Sequence, residues 1–253
     1  RREKPVLSPK VFSDREPSFR QTHVRYCFMK LLSTFAFAAL TGAASAATIF
    51  SPGDPIAGGQ LNGGTFNLGA EGCCDSPVNQ WPGAEAPGDM INGIIGGGGE
   101  KYLNFAKTNT GIVVTPTAGG GLPSVVTSME LWVANDANER DPASYQLFGS
   151  NAAINLGADI ALSDFTLISE GGLALPLDRD NTNDATGFSQ VVSIDNSNAY
   201  SSYMLVFPTI RNEGATNSMQ LSEVQLEGTF VPEPSTTLVA LLGLLPLLRR
   251  RRG

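Results

Sequence analysis

The chain has 253 residues, of which 42% are hydrophobic, and a formal net charge of −7 at pH 7. Its one histidine, His23, lies near the N-terminus, so the rest of the chain has no imidazole for a Ser-His-Asp or Cys-His mechanism or for a histidine-ligated metal. A chain of this sign repels phosphate backbones, which disfavours nucleic-acid binding.

The N-terminal 46 residues carry the features of export. Residues 1–28 have scattered charge and several prolines, and we interpret them as an upstream gene-model extension; a genuine extension with an internal anchor is the alternative. Met29 and Lys30 begin a second segment, in which an uncharged run (31–40) leads to Ala44-Ser45-Ala46. A basic start, a short apolar run and an A-x-A-like site predict a secretory signal peptide over 29–46, with Ala44 and Ala46 at the cleavage site.

Cleavage after Ala46 leaves residues 47–230, which is enough chain for one domain with a core. This region contains five Lys and Arg against 20 Asp and Glu, a net charge of −15. Carboxylates at this density are potential Ca²⁺ ligands. Its two cysteines, Cys73 and Cys74, are adjacent, so the count excludes a disulfide framework and leaves a vicinal disulfide, an intermolecular bridge or free thiols.

Short apolar and β-branched runs separated by turn residues predict an all-β domain. In the Gly-, Pro- and Asn-rich segment 47–99 we expect only short strands, at Ile49-Phe50 and Thr65–Leu68, between long loops. Further strands are predicted at Tyr102–Ala106, Gly111–Thr115, Ser124–Ala134, Ser144–Gly149, Phe165–Ser169, Phe188–Ile194, Ser202–Thr209 and Met219–Phe230. Eight such strands with turns between them indicate an antiparallel β-sandwich of the jelly-roll type.

Period-two alternation supports these strands. Met129, Leu131 and Val133 fall on one face of their strand, and the apolar residues of the last strand change parity at Ser222-Glu223. A change of parity inside a strand predicts a β-bulge at that point.

The last 23 residues form a separate tail. Val231-Pro232-Glu233-Pro234 cannot continue the last strand, because the two prolines lack backbone donors. The apolar run 238–248 follows, and at about 1.5 Å per residue it spans only about 17 Å of a roughly 30 Å bilayer core. Four basic residues then keep this end in the cytoplasm by the positive-inside bias. They are Arg249, Arg250, Arg251 and Arg252.

This order of Pro-Glu-Pro, short apolar helix and terminal arginines resembles the PEP-CTERM sorting domain. The resemblance implies that an exosortase recognises the tail as a transient inner-membrane anchor and cleaves near Pro232-Glu233-Pro234. The protein would then reach the cell surface or extracellular matrix of a bacterium that makes exopolysaccharide. The alternative is an ordinary single-pass anchor.

The region from about Asp89 to Gly228 resembles the galactose-binding-like (discoidin-type) β-sandwich of carbohydrate-binding modules. The resemblance rests on the order and spacing of short segments, among them Lys101–Phe105, Trp132–Asp136 and Leu221–Val224. It implies a structural Ca²⁺ site. The matching positions in this chain are Asn92, Glu100 and Glu223, with Asn92 in place of a usual aspartate and Glu100 where threonine is common.

Two further features are candidates for ligand binding. The loop after the Trp132 strand contains Asn135, Asp136, Arg140 and Asp141, which could hydrogen-bond sugar hydroxyls; alternatively Arg140 pairs with Asp136 or Asp141 and fixes the loop. Trp81 could stack on a pyranose, or it could cover an open edge of the sandwich.

We therefore expect an exported, non-catalytic protein that binds carbohydrate or exopolysaccharide. A structural or adhesive matrix protein without a small-molecule site is the alternative. A glycan-active hydrolase ranks third, because three acids in one loop, Asp136, Glu139 and Asp141, do not establish the cleft that a carboxylate pair requires.

Overall fold

The computed structural model describes residues 46–96, 98–179 and 188–232. The predicted signal peptide, apart from Ala46, and the sorting tail beyond Pro232 lie outside these residues. None of the helices within the described ranges is long and apolar enough to cross a membrane.

The described chain folds mainly into strands. They are β1 (Ala47–Thr48), β2 (Ile56–Asn62), β3 (Thr65–Leu68), β4 (Ala70–Glu71), β5 (Gln80–Trp81), β6 (Tyr102–Asn104), β7 (Thr110–Val114), β8 (Ser124–Trp132), β9 (Ser144–Ser150), β10 (Ile160–Ala161), β11 (Thr166–Gly172), β12 (Ser189–Ser193), β13 (Ser202–Phe207), β14 (Met219–Leu221) and β15 (Glu223–Phe230). Helical structure is limited to α1 (Ala118–Gly121) and to 3₁₀ turns at Pro87–Ile91, Asn138–Arg140, Leu162–Asp164 and Glu213–Ala215.

The strands form two main antiparallel sheets, which confirms the predicted β-sandwich. One sheet has four strands in the order β1-β15-β8-β12, and the other has seven in the order β10-β3-β2-β7-β13-β9-β11. Two small ribbons, β14-β6 and the parallel pair β4-β5, complete the described structure.

The main core lies between the two sheets. Alternate residues of the central strands face inward, so Leu131 and Val224 of the four-stranded sheet belong to one buried cluster with Ile112 and Leu205 of the seven-stranded sheet. Strand β13 is buried on both faces. The side chains on the other face of β13, including Met204, pack in a second cluster with Phe66, Phe148, Ile160 and Phe165.

Three sequence predictions need correction. Ile49 and Phe50, predicted as a short strand, follow the two-residue strand β1 and belong to no strand. Segment 47–99 contains the seven-residue strand β2, which lies between β3 and β7 and was predicted as loop. The parity change at Ser222 is not a bulge within one ladder. There the chain leaves β14, paired with β6, and begins β15, paired with β8. The register shift lies elsewhere: Glu227 is opposite Ser128 and Gly228 is opposite Val126, so Thr127 is the extra residue.

Candidate functional site

The loop between β8 and β9 is held by a buried carboxylate. Asp141 is 0% exposed, and its Oδ2 accepts hydrogen bonds from Nη2 of Arg179 and, at 3.2 Å, from Nη2 of Arg211. Burial raises the pKa of Asp141 to about 6, against the lowering effect of the two guanidinium groups. Arg211 also donates to the backbone carbonyls of Asn138 and Leu175, so three chain segments meet at this carboxylate.

A buried lysine organises the start of the same loop. Lys101 is 2% exposed, and its Nζ donates to Oδ1 of Asn135 at 3.2 Å, to Oδ1 of Asp136 at 2.9 Å and to Oε1 of Gln220 at 3.2 Å. Glu85 Oε1 lies 3.6 Å from the same nitrogen. The side chain of Asp136 is half-exposed. Burial acts to raise the pKa of its carboxyl, but the hydrogen bond and charge of Lys101 outweigh burial and hold the pKa below its usual range.

A polar cleft of about 390 Å³ opens beside this loop. It is lined by Ala137, Glu139, Arg140, Gly214, Ala215, Thr216 and Asn217. The left-handed φ of 34° at Ala137 leads the chain into the 3₁₀ turn Asn138–Arg140, which forms one wall. Within the part of the chain that the structure describes, the Glu139 carboxylate has no hydrogen-bond or ion-pair partner, so it is the charged group of the cleft that is free to accept from a ligand.

Arg140 spans the cleft and is partly neutralised. Its Nη2 donates to Asn217 Oδ1 at 3.1 Å, and its Nη1 lies 3.9 Å from Asp136 Oδ2. The sequence left open whether Arg140 pairs with Asp136 or with Asp141. In the structure it pairs with Asp136. Because Asp141 is fully buried and shared by two other arginines, its carboxylate has no exposed surface for a ligand.

Trp81 lies in a different depression. Its ring meets that of Tyr102 edge to face at a centroid distance of 6.0 Å and is partly buried against the main core. A groove of about 390 Å³ runs beside it, lined also by Ile56, Leu68, Pro87 and Leu156 among others. The two depressions share no lining residue, so the structure does not bring Trp81 into the polar cleft with Arg140.

The residues implied as Ca²⁺ ligands are connected. Asn92 Nδ2 donates to Glu100 Oε2 at 2.9 Å, and Gly93 N donates to Glu223 Oε2 at 3.3 Å. Glu223 is 1% exposed, and Gln225 Nε2 donates to its Oε1 at 2.8 Å. No Lys or Arg of the described ranges pairs with Glu223, and burial raises its pKa to about 8.

This arrangement fits a cation only in part. A buried carboxylate without a positive partner would be stabilised by a bound divalent ion. The described chain has no group of three or more His, Cys, Asp and Glu side chains placed to hold a metal. A cation here would therefore need oxygens from Asn92 and from backbone carbonyls in addition to the two glutamates.

Sequence reasoning found the loop but missed the residues that build it. Lys101, Gln220 and Arg211 come from distant segments, and Thr216 and Asn217 form the second wall of the cleft. One signal was present: a base in so acidic a domain is expected to have a partner, and this applies to the other four bases of the domain as well as to Arg140. The sulfur atoms of Cys73 and Cys74 are in bonding contact, which is the vicinal arrangement of the three left open.

No protein-family model matches the sequence, and neither does any curated protein. Among solved structures, the chain is similar to the family 32 carbohydrate-binding module of NanJ from C. perfringens, solved with galactose, at 12% identity and a TM-score of 0.43 over 72% of this chain and 99% of that one. It is also similar to the family 32 module of EndoD from Streptococcus pneumoniae, at 13% identity and a TM-score of 0.44 over 71% and 98%. A fucose-binding module from Streptococcus pneumoniae has 10% identity and a TM-score of 0.41 over 71% and 94%. At these TM-scores the similarities carry no argument about a ligand of this chain.

Proposed function

We propose that residues 47–230 are an exported, non-catalytic domain that binds carbohydrate in the polar cleft. The observation that carries the proposal is the lining of that cleft, which combines the Glu139 carboxylate with the Thr216 hydroxyl and with an Asn217 amide that accepts from Arg140. Sugar hydroxyls both donate and accept hydrogen bonds, and this mixture of acceptors and donors matches them.

The number of carboxylates at the cleft favours binding of carbohydrate over its hydrolysis. Glycosidases of the common kinds place two carboxylates across the scissile bond, about 5–5.5 Å or 6.5–9.5 Å apart. Glu139 is the one carboxylate among the residues that line the cleft. Asp136 is engaged with Lys101, and Asp141 is buried beneath the loop.

The position of the cleft suits a surface-attached protein. Strand β15 begins at Glu223, opposite Trp132, where the cleft loop starts, and ends at Phe230, opposite Ser124. Eight residues of strand separate these ends by about 23 Å. Ala47 pairs with Gly228 near the far end, so both ends of the domain lie away from the cleft. A domain held through Val231 and Pro232 would present its cleft outward.

Glycan-array binding tests the proposal, followed by titration of any polysaccharide that binds, with exopolysaccharide of the native host included. Asn217→Ala removes a hydrogen-bonding group of the cleft, and Glu139→Gln exchanges a charged acceptor for a weaker neutral one, so each should weaken binding about tenfold. Asp178→Asn is the matched control, since it removes an exposed carboxylate near Arg179 outside the cleft lining. Thermal melting of each variant checks that the fold is retained.

Trp81→Ala separates the two depressions. Loss of binding in Trp81→Ala with retention in Asn217→Ala would move the site to the Trp81 groove. No binding by the wild type, together with normal surface assembly, would support the structural or adhesive role.

We propose in addition that Asn92, Glu100 and Glu223, with backbone carbonyls, hold a structural Ca²⁺ ion. The buried and cation-free carboxylate of Glu223 supports this. A ligand that binds only the folded state raises the melting temperature. Millimolar Ca²⁺ should therefore raise it, and an unchanged midpoint would count against the site.

Export and sorting form the third part of the proposal. We infer a signal peptide over 29–46 and an exosortase-recognised tail over 231–253. Strand β15 ends at Phe230, and the Val231 side chain that follows is exposed, which leaves the segment before Pro232 accessible to a protease. Terminal peptide mapping in the native host should find Ala47 as the first residue and no arginine cluster at the end. An unprocessed chain in the cytosol would contradict this part alone.

A further inference from the structure

Lys101 has a buried side-chain amine that the proposed carbohydrate binding does not use. Its amine lies at the base of the cleft loop within hydrogen-bond distance of a carboxamide, and beside a carboxylic acid. We propose that Lys101 and Asn135 join through an amide bond between Nζ and Cγ, formed by the folded domain itself with release of ammonia. The product would be a covalent cross-link in a domain whose cysteines are adjacent and so cannot tie distant segments together.

The geometry brings the required groups together. Lys101 precedes β6, Asn135 follows β8, and Glu85 precedes the 3₁₀ turn at Pro87, so three separate segments meet at one nitrogen. Nζ lies 3.2 Å from the Asn135 amide oxygen and 3.6 Å from the Glu85 carboxylate. Holding an amine against an acyl carbon supplies the high effective concentration that such a slow reaction needs.

The proton balance uses Glu85. The Lys101 ammonium passes one proton to the Glu85 carboxylate, and the neutral amine attacks the Asn135 carbonyl carbon. Burial raises the pKa of Glu85, which makes it a better proton acceptor than an exposed glutamate. The acid then returns the proton to the amide nitrogen, the C–N bond to that nitrogen breaks, and the departing ammonia takes up the second proton of the attacking amine and leaves as ammonium. No oxidant or reductant is consumed.

Asn135 is the acceptor because its competitors are unsuited. Asp136 is nearer, but its carboxyl has a lowered pKa and a half-exposed side chain, so it is an anion that resists nucleophilic attack. Gln220 is a carboxamide, but its Nε2 donates to the carbonyls of Asp136 and Ala137 and is held in place. The Asn135 amide nitrogen has no such bond within the described chain, and the residue is partly exposed, so ammonia can depart to solvent.

Tryptic mapping of the purified full-length chain tests the proposal. An unmodified chain is cut after Lys101 and releases the peptide 102–107. The cross-linked chain is not cut at the acylated Lys101. It gives instead a peptide ending at Lys107 joined to the peptide 108–140, and the joined species is lighter by one ammonia than the sum of its parts. This joined species is the expected result for most of the folded protein.

Variants assign the bond. Lys101→Arg keeps the positive charge but has no primary amine, and Asn135→Ala has no side-chain acyl group; both should give full-mass, separate peptides. Glu85→Gln should slow the reaction, so that unlinked chain accumulates.

Free 102–107 in the wild type would overturn the proposal, and so would an ammonia loss confined to 108–140, which indicates succinimide at Asn135. A loss of water with linkage at Asp136 would overturn the assignment of Asn135. None of these readouts depends on glycan binding, so this proposal and the proposed function can fail separately.

Discussion

We expect Glu223→Gln to lower the free energy of unfolding at acidic pH and to raise it at neutral pH. Glu223 is buried without a cation, and its pKa is about 8 in the fold against an ordinary 4.5. The folded state therefore holds a proton that the unfolded chain releases above pH 4.5. Stability from this residue is fully present below pH 4.5 and is lost progressively as pH rises to about 8.

The size of the effect follows from the shift. At about 1.4 kcal/mol per pKa unit, the metal-free wild type loses about 3 kcal/mol between pH 4.5 and 7, and about 5 kcal/mol in full above pH 8. Glutamine does not titrate, but its amide group cannot accept from both Gly93 N and Gln225 Nε2, which costs about 1 kcal/mol. The variant should be less stable than the wild type near pH 4.5 by about 1 kcal/mol and more stable near pH 7 by about 2 kcal/mol.

Thermal melting in chelator from pH 4.5 to 9 measures this difference. For a domain of this size, 2 kcal/mol is about 4–8 °C in Tm. Glu227→Gln makes the same change on the same strand at a partly exposed position and should leave the pH profile unchanged. Added Ca²⁺ should raise the Tm of the wild type and not that of Glu223→Gln, and the rise should grow from pH 6 to 8 because the ion must displace a proton. A flat difference between wild type and Glu223→Gln across this pH range would refute the reasoning.

Three further substitutions probe the core and the loops. Leu205→Ala, at a fully buried position of β13, should cost about 2–5 kcal/mol in denaturant unfolding, whereas a loss under 1 kcal/mol would contradict tight packing between the sheets. Ser222→Ala removes the hydroxyl that bonds the glycine-rich loop leading to the Ca²⁺ ligands, so it should weaken calcium binding in a calorimetric titration while Glu223 remains; equal affinity would show that the loop is held by other contacts. Arg179→Met removes one of the two cations beside Asp141, which raises the pKa of that buried carboxyl above about 6, so the fall in Tm should be larger at pH 8 than at pH 5; a fall independent of pH would place the cost in packing instead.

The strands that the sequence predicted well are those in which burial follows residue parity. Met129 and Leu131 of β8 are fully buried and their neighbour Glu130 is not, as the alternation indicates. Strand β2 was missed because Gly58 and Gly59 have low β-propensity and mark turns in most contexts. Here the glycines are required by close contacts: a Cβ on Gly58 would lie 2.4 Å from the Pro87 ring, and one on Gly59 would lie 2.3 Å from the Asn67 carbonyl oxygen.

The candidate site was less predictable, because long-range pairing decides it. Polar residues after the Trp132 strand identified a loop, and alternation identified where that loop starts. Whether Asp141 faces solvent or the interior depends on Arg179 and Arg211, which come from segments whose position the local pattern does not determine. The resemblance, and not the local pattern, implied that Asn92 lies near Glu223. Local sequence carries no information on a contact such as Gly93 N to Glu223 Oε2, which joins residues 130 positions apart.

The distribution of positive charge accounts for how this acidic domain builds its cleft. Its five bases all contact the two loops that form the walls: Lys101, Arg140, Arg179 and Arg211 contact the Asn135–Asp141 loop, and Lys107 donates to the Glu213 carbonyl. Long loops lack the ladder that satisfies backbone carbonyls in strands, so they need side-chain donors. The bases supply those donors, and four of them, Lys101, Arg140, Arg179 and Arg211, lie beside the carboxylates of Asp136 and Asp141. Arg140 also lines the cleft, but Asn217 and Asp136 hold its guanidinium. The proposed ligand would therefore meet mainly Glu139, the Thr216 hydroxyl and the Asn217 amide, which suit an uncharged polyol better than a phosphate or sulfate.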